Sequence, residues 1–406
     1  PPAKEAVPEL LELLGDESQQ VQDDAIAALG NMGTAATPAL LIAARSDQAA
    51  RRAAALESLG RLSAASADNS LADPEVIAAI QAAVHDSDSA VRAAAVQALD
   101  AASTDNTLLQ SALLDLLADT DSAVRIEVVN ALARRPHMLE QAESDLAQLL
   151  LHEDPGVAWH AAFLLHLRGA AAAPVMLRML PDERSHIEEI AKALARIGQP
   201  LTQTLELRLQ DPEPRVRQAA ALALGQIRPI SAETILKLAD GLQDDQPQVR
   251  AAFLRSLRSL GMRARPVVPA VRQLRSTDDV ANRLLVLDIL LAAAPRDQQL
   301  IQDLIAFVED EDVSVQAQAM DAIRSTALLG GRTFPAITNK LASAGNTVRV
   351  AAAEFLASHG SWSAASVPQL IAMLSSESED LAWRNKLIAT LGELGATAQA
   401  ALPELT

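Results

Sequence analysis

The apolar residues of this chain fall on one helical face, in one phase, twelve times over. In DPEPRVRQAAALALGQI (residues 211–227), taking Val216 as position zero puts Ala220 at +4 and Leu224 at +8. Equivalent zeros are Val21, Arg51, Val91, Val124, Val157, His186, Val216, Val249, Asn282, Val315, Val348 and Trp383. The steps between them are 30, 40, 33, 33, 29, 30, 33, 33, 33, 33 and 35 residues. Position +8 is Leu in eleven units and Ile323 in the other, and +4 is apolar in all twelve. A 0, +4, +8 stripe is the buried face of an α-helix. Its return at a near-constant period is the mark of stacked repeats.

The pattern predicts two helices per unit. The second, B, starts just before zero and ends near +12, where Gly33, Gly169, Gly198, Gly261, Gly360 and Gly395 can take a left-handed cap. The first, A, is a shorter apolar run such as PELLELL. Pro8, Pro38, Pro269 and Pro335 stand at −13, early in A, where a missing N–H costs least. Positions −5 to −3 form an acidic turn that caps helix B and holds 22 of the chain's 52 acids. Much of the net charge of −18 is therefore local capping, and it says little about a cationic partner.

Length alone (406 residues) would suggest two or three domains, but a repeat array is exempt from that rule. Cysteine is absent, which excludes disulfides, thiolate zinc sites and a cysteine nucleophile, and leaves the compartment open. No apolar stretch is long enough to span a bilayer. The acidic balance argues against nucleic acid as partner.

Here the residues carry a resemblance. The pattern resembles the HEAT repeat of α-solenoids, in the Ala-rich bacterial style similar to phycobilin-lyase-type units. The Asp of the family's turn matches Asp16, Asp86, Asp119, Asp211, Asp244 and Asp310 at −5. Its Arg early in helix B matches Arg52, Arg92, Arg125, Arg217, Arg250, Arg283, Arg349 and Arg384 at +1. The resemblance implies a ladder between neighbouring repeats, with Asp86, Arg92, Asp119, Arg125, Asp211, Arg217, Asp244 and Arg250 among its members. It also implies an all-α, right-handed, armadillo-like superhelix of about twelve two-helix repeats, with B helices on the concave face. The expectation is one continuous array over residues 1–406, with a longer polar loop at Ser66–Asp73 and a further repeat beginning at 396–406. PPAKEAVPEL at the start aligns with ATAQAALPEL near the end, so the array is expected to belong to a longer chain.

Catalytic motifs are missing: there is no HExxH, Walker A loop, GxSxG or Gly-rich dinucleotide turn. His152-Glu153 is a single pair, too few for the di-iron site of HEAT-type hydroxylases, so neither metal nor cofactor is expected. Two stretches break the pattern. Between Gln246 and Thr277 lie seven arginines and no acid; Arg255, Arg258, Arg263 and Arg265 are a candidate anion-binding patch, or simply solvated surface. In repeat five, Trp159, His160, Phe163 and His166 occupy +2, +3, +6 and +9, off the core stripe, and are expected to form an exposed anchor for a partner or ligand. The competing reading is that the rings fill a gap against the neighbouring helix. Repeats five and six also lack the +1 arginine, with Ala158 and Ile187 there. Rule-breaking units among regular ones mark function or strain. The expected function is a non-catalytic scaffold holding a partner protein or peptide. A bilin-lyase-like chromophore handler and an accessory segment of a larger enzyme or receptor are the alternatives.

Overall fold

The computed structural model describes residues 6–65, 74–101, 107–277, 279–295, 297–325, 334–342, 346–358, 366–374 and 381–401. The expected loop at 66–73, the Gly360 cap and residues 402–406 lie outside them. Every described element is an α- or 3-10 helix. The chain divides into two compact units, Pro1–Gln203 and Thr204–Thr406. In sequence the repeat phase passes the boundary without a break, from His186 to Val216.

In the first unit the B helices are Gln19–Asn31, Ala49–Ala65, Ser89–Ala101, Ser122–Ala133, Pro155–His166 and Ile187–Ile197, each packed on the next. In the second they are Pro214–Leu224, Pro247–Leu260, Val280–Ala293, Val313–Ser325, Asn346–Ser358 and Leu381–Glu393, packed in the same serial way. The reason is the stripe. All twelve +8 residues, Leu29 through Leu391, are buried, and so are all twelve +4 residues, from Ala25 to Leu387. Burying a Leu or Ile side chain contributes about 1.5–3 kcal/mol, so eleven aligned leucines and one isoleucine drive the stacking more strongly than helix propensity could.

Small residues set how closely B helices approach. Gly60 and Gly225 both stand at +9, and a Cβ on either would lie 2.7 Å from a backbone Cα of the next helix, at Ala98 and Ser256 respectively. Ser256 Oγ donates across that contact to the Ala221 carbonyl at 2.5 Å. Phe253 is the one aromatic at +4, and its ring fills the space above Gly241, where a Cβ would meet it at 2.2 Å.

The helix ends follow their punctuation. Pro8, Pro38 and Pro269 are the second residues of helices Val7–Leu13, Thr37–Ala43 and Val268–Arg272. Gly33, Gly169, Gly198, Gly261 and Gly395 all have φ between +55° and +81°. At Gly198 and Gly261 ψ is −142° and −129°, the mirror-extended region rather than the left-handed helix expected from sequence. Only glycine visits it freely. In the acidic turns the −5 carboxylate accepts the N–H of −3, as in Asp88 to Asp86 at 2.9 Å and Gln246 to Asp244 at 2.9 Å.

Candidate functional site

The regular ladder defines what the irregular repeats lack. In the regular repeats the +1 arginine works in two directions. Its Nη1 donates back to the −5 carbonyl of its own turn: Arg52 to Ser46, Arg92 to Asp86 and Arg217 to Asp211, all at 2.9 Å. Its Nε and Nη2 fork onto the −5 carboxylate of the following repeat. The forks are Arg52 on Asp86 (2.8 and 2.7 Å), Arg92 on Asp119 (2.6 and 2.7 Å) and Arg217 on Asp244 (2.7 and 2.9 Å). Arg283 reaches Asp310 with Nη2 donating at 3.0 Å and Nε 2.9 Å from the carboxylate. Burial opposes charge on Asp86, Asp119 and Asp244, but the guanidinium forks outweigh it and hold all three below the usual carboxylate range. Bidentate pairing of this kind fixes orientation as well as contributing energy.

At Arg125 the ladder stops. His152 occupies the −5 position that should receive the fork. Its Nδ1 accepts the Asp154 N–H at 3.0 Å, so the imidazole replaces the Asp as a turn acceptor but brings no negative charge. Arg125 is buried, still reaches back to the Asp119 carbonyl at 2.6 Å, and lies 3.7 Å from Asp154. Its Nε has no partner. The His152 carbonyl instead accepts from His186 Nε2 at 2.7 Å, the residue that interrupts the Val series at position zero. Asp211, in its own turn, pairs with Arg208 at 2.9 Å.

Next to this gap sits the aromatic cluster of helix Pro155–His166. Trp159 and Phe163 stack with centroids 5.6 Å apart and planes 20° from parallel. His166 meets the edge of Phe163 at 4.8 Å, and His160 meets Trp159 at 4.9 Å. A residue the sequence reading missed completes the group: Arg196, one repeat on, lies 5.6 Å over both rings. No spacing rule within a single helix could have pointed to it. The expected exposed stripe needs correction in part. Trp159, Phe163 and His166 are half-buried, and His160 is only 6% exposed, with an unpartnered Nδ1. At +3 the side chain turns toward the preceding repeat, where Arg125 lies. Burial, then Arg125, pushes the His160 pKa down; burial, partly offset by the Phe163 carbonyl, does so for His166, with Arg196 adding to it. Neither imidazole therefore offers a ready cation to an acidic partner. What the surface presents is a guanidinium stacked on two rings, an amphipathic patch with apolar area and a charged handle.

The arginine stretch separates into two groups. Arg258 pairs with Asp288 at 3.2 Å, and Arg272 with Asp297 and Asp303 at 2.6 and 2.7 Å. Arg255 is half-buried on helix Pro247–Leu260. Arg263 and Arg265, on the 3-10 turn Gly261–Val267, are exposed and make no hydrogen bond or ion pair among the described residues. Of the four arginines, Arg258 is thus paired with a carboxylate while Arg263 and Arg265 are open to solvent. Among the described residues no group of His, Asp and Glu could hold a metal ion, and no helix is long and apolar enough to cross a membrane.

The comparisons agree with this architecture. A family model described as "HEAT repeats" matches residues 2–60 and 183–258, and one described as "HEAT repeat associated with sister chromatid cohesion" matches 64–99. No curated protein matches the chain. Among solved structures, Kap121p bound to Pho4p aligns over 97% of this chain and 52% of its own, with TM-score 0.55 and 14% identity. Kap121p bound to Nup53p aligns over 97% and 53%, with TM-score 0.55 and 13% identity. The chain thus spans about half the length of these structures, and the likeness at that identity is one of fold. The matched segments, residues 2–60, 64–99 and 183–258, are thus HEAT repeats, and the remaining two-helix units share their phase and, within each compact unit, their serial packing.

Proposed function

We propose that the chain is a non-catalytic binding scaffold, one continuous array that holds a partner protein, with the Trp159–Phe163–Arg196 cluster as an anchor. The observation that carries this is the cluster itself: two stacked rings under a guanidinium, half-open to solvent, at the place where the Arg–Asp ladder is interrupted. Trp and Arg are the residue types that dominate interface energetics, because each pairs large apolar area with a directional polar group. Helix stacking uses the 0, +4, +8 stripe, which leaves the +2 and +6 positions free for recognition. The family's solved relatives named above include complexes with other proteins, which supports the general reading.

The test is a partner recovered with the full chain, purified, and titrated against variants. Arg196→Ala and Trp159→Ala are each expected to weaken binding by about 2 kcal/mol, roughly thirtyfold, with melting nearly unchanged. Loss of melting temperature with full affinity would show that the rings serve only to pack one repeat on the next, and the anchor reading would fall.

A further inference from the structure

In the second unit, a groove of about 790 Å³ opens between the Gly261–Val267 turn and the end of helix Val280–Ala293. Its walls mix apolar residues (Met262, Val268, Pro269, Ala293, Ala294 and Pro295) with Arg265, Arg272 and Asp297. Met262 is 70% exposed and so presents its apolar side chain to whatever enters the groove. Met262 and Arg265 are three apart on a 3-10 turn, where i and i+3 eclipse, so both face the groove. Asp297 is already spoken for: its carboxylate takes Arg272 at 2.6 Å and caps the next helix through the Gln299 N–H at 3.0 Å. Arg265 feels that charge only at a distance and bonds to no carboxylate among the described residues.

On the same turn as Met262 and Arg265, Arg263 is also exposed and makes no hydrogen bond or ion pair among the described residues. Arg228 donates to the Gly225, Ile227 and Ser259 carbonyls, closing the ends of two B helices at 2.7–2.8 Å. Burial, then the neighbouring Arg263, pushes its pKa down. Apolar side chains beside exposed, unpaired arginines have a definite complement.

We propose that this groove docks an extended peptide segment in which carboxylates alternate with apolar side chains: a carboxylate on Arg265, its apolar neighbour against Met262 and Pro269, and a further carboxylate toward Arg263. The volume suits a few side chains. A long polyanion such as nucleic acid would meet the repulsion of a chain carrying −18, whereas a short acidic segment meets only the local field. The proposal rests on the scaffold reading but not on the Trp159 anchor, and different variants test the two.

The probe is a fluorescein-labelled Glu-Glu-Leu repeat peptide, titrated by anisotropy against the full chain. Arg265→Glu is expected to weaken binding about tenfold, as is replacing the glutamates of the peptide by glutamine. Met262→Ser should cost several-fold, and affinity should fall as salt rises from about 50 to 200 mM. Trp159→Ala should leave this binding unchanged. Both groove residues are exposed, so folding is not at stake, and an unaltered melting temperature checks it. The proposal is overturned if the probe does not bind, or if Arg265→Glu leaves affinity within twofold. Equal binding of a Glu-Glu-Ser peptide would reduce the effect to bare charge and overturn the apolar half. An oligonucleotide that binds more tightly than the peptide would assign the site to phosphate instead.

Discussion

His160 shows how one residue can look like a ligand-binding group and turn out to be held inside. Its +3 position and aromatic neighbours suggested exposure, yet it is buried beside Arg125 with its charged form disfavoured. The folded-state pKa lies below the unfolded value of about 6.5, as does that of His166. The two imidazoles therefore leave stability intact above that pH and erode it as pH falls, since the unfolded chain takes up protons more readily. The melting temperature should drop between about pH 7 and pH 5, and His160→Leu should flatten part of that drop. A variant with the same slope as the parent would remove His160 from the account. At the ladder, Arg92→Ala strands a mostly buried Asp119 and should cost about 2–4 kcal/mol, read from chemical denaturation. What the sequence made legible at this scale is everything periodic. Arg196 was not, because its role depends on a ring one repeat away rather than on its own helix.

Between helices, contact distance is set by single side chains. Gly225→Ala would place a Cβ 2.7 Å from the Ser256 backbone, which only separation of two B helices can relieve. A loss of about 1–3 kcal/mol is expected. Gly392→Ala, also on a B helix but with nothing within 4 Å, should be neutral or stabilising by up to about 1 kcal/mol. If the two variants melt alike, close helix approach is not what selects glycine at +9. The stripe, the turn acids and the capping glycines could all be read in advance because each reports on its own helix. The pairing of Phe253 with Gly241 could not, since a bulky +4 residue signals a hollow without locating it.

Within each compact unit the repeats contribute separately, because each B helix packs on its sequence neighbours. Excising Gln218–Arg250, one 33-residue period, restores the phase and should leave helical circular dichroism per residue unchanged, with a lower melting temperature. Collapse of the helical signal would contradict nearest-neighbour stacking. The formal charge is also uneven: residues 1–203 carry 14 basic and 29 acidic side chains, net −15, and 204–406 carry 20 and 23, net −3. The Trp159 cluster lies in the repeat whose −5 residue, His152, replaces the carboxylate that Arg125 would otherwise meet.

The two-way arginine also bears on how such a chain can change over generations. Arg52 reaches Asp86 across 34 residues and Arg92 reaches Asp119 across 27, yet the two forks are nearly identical. The linking segment absorbs the difference, so every regular unit offers the same plug and the same socket. Duplication, loss or exchange of a unit by unequal recombination leaves a working joint wherever both halves are standard. Arg125 is a plug facing His152 instead of a socket. A gene copy that begins with the His152 unit, spliced after a standard one, would leave that unit's arginine without its carboxylate, so the segment carrying Trp159 is expected to travel through descent together with the unit that precedes it.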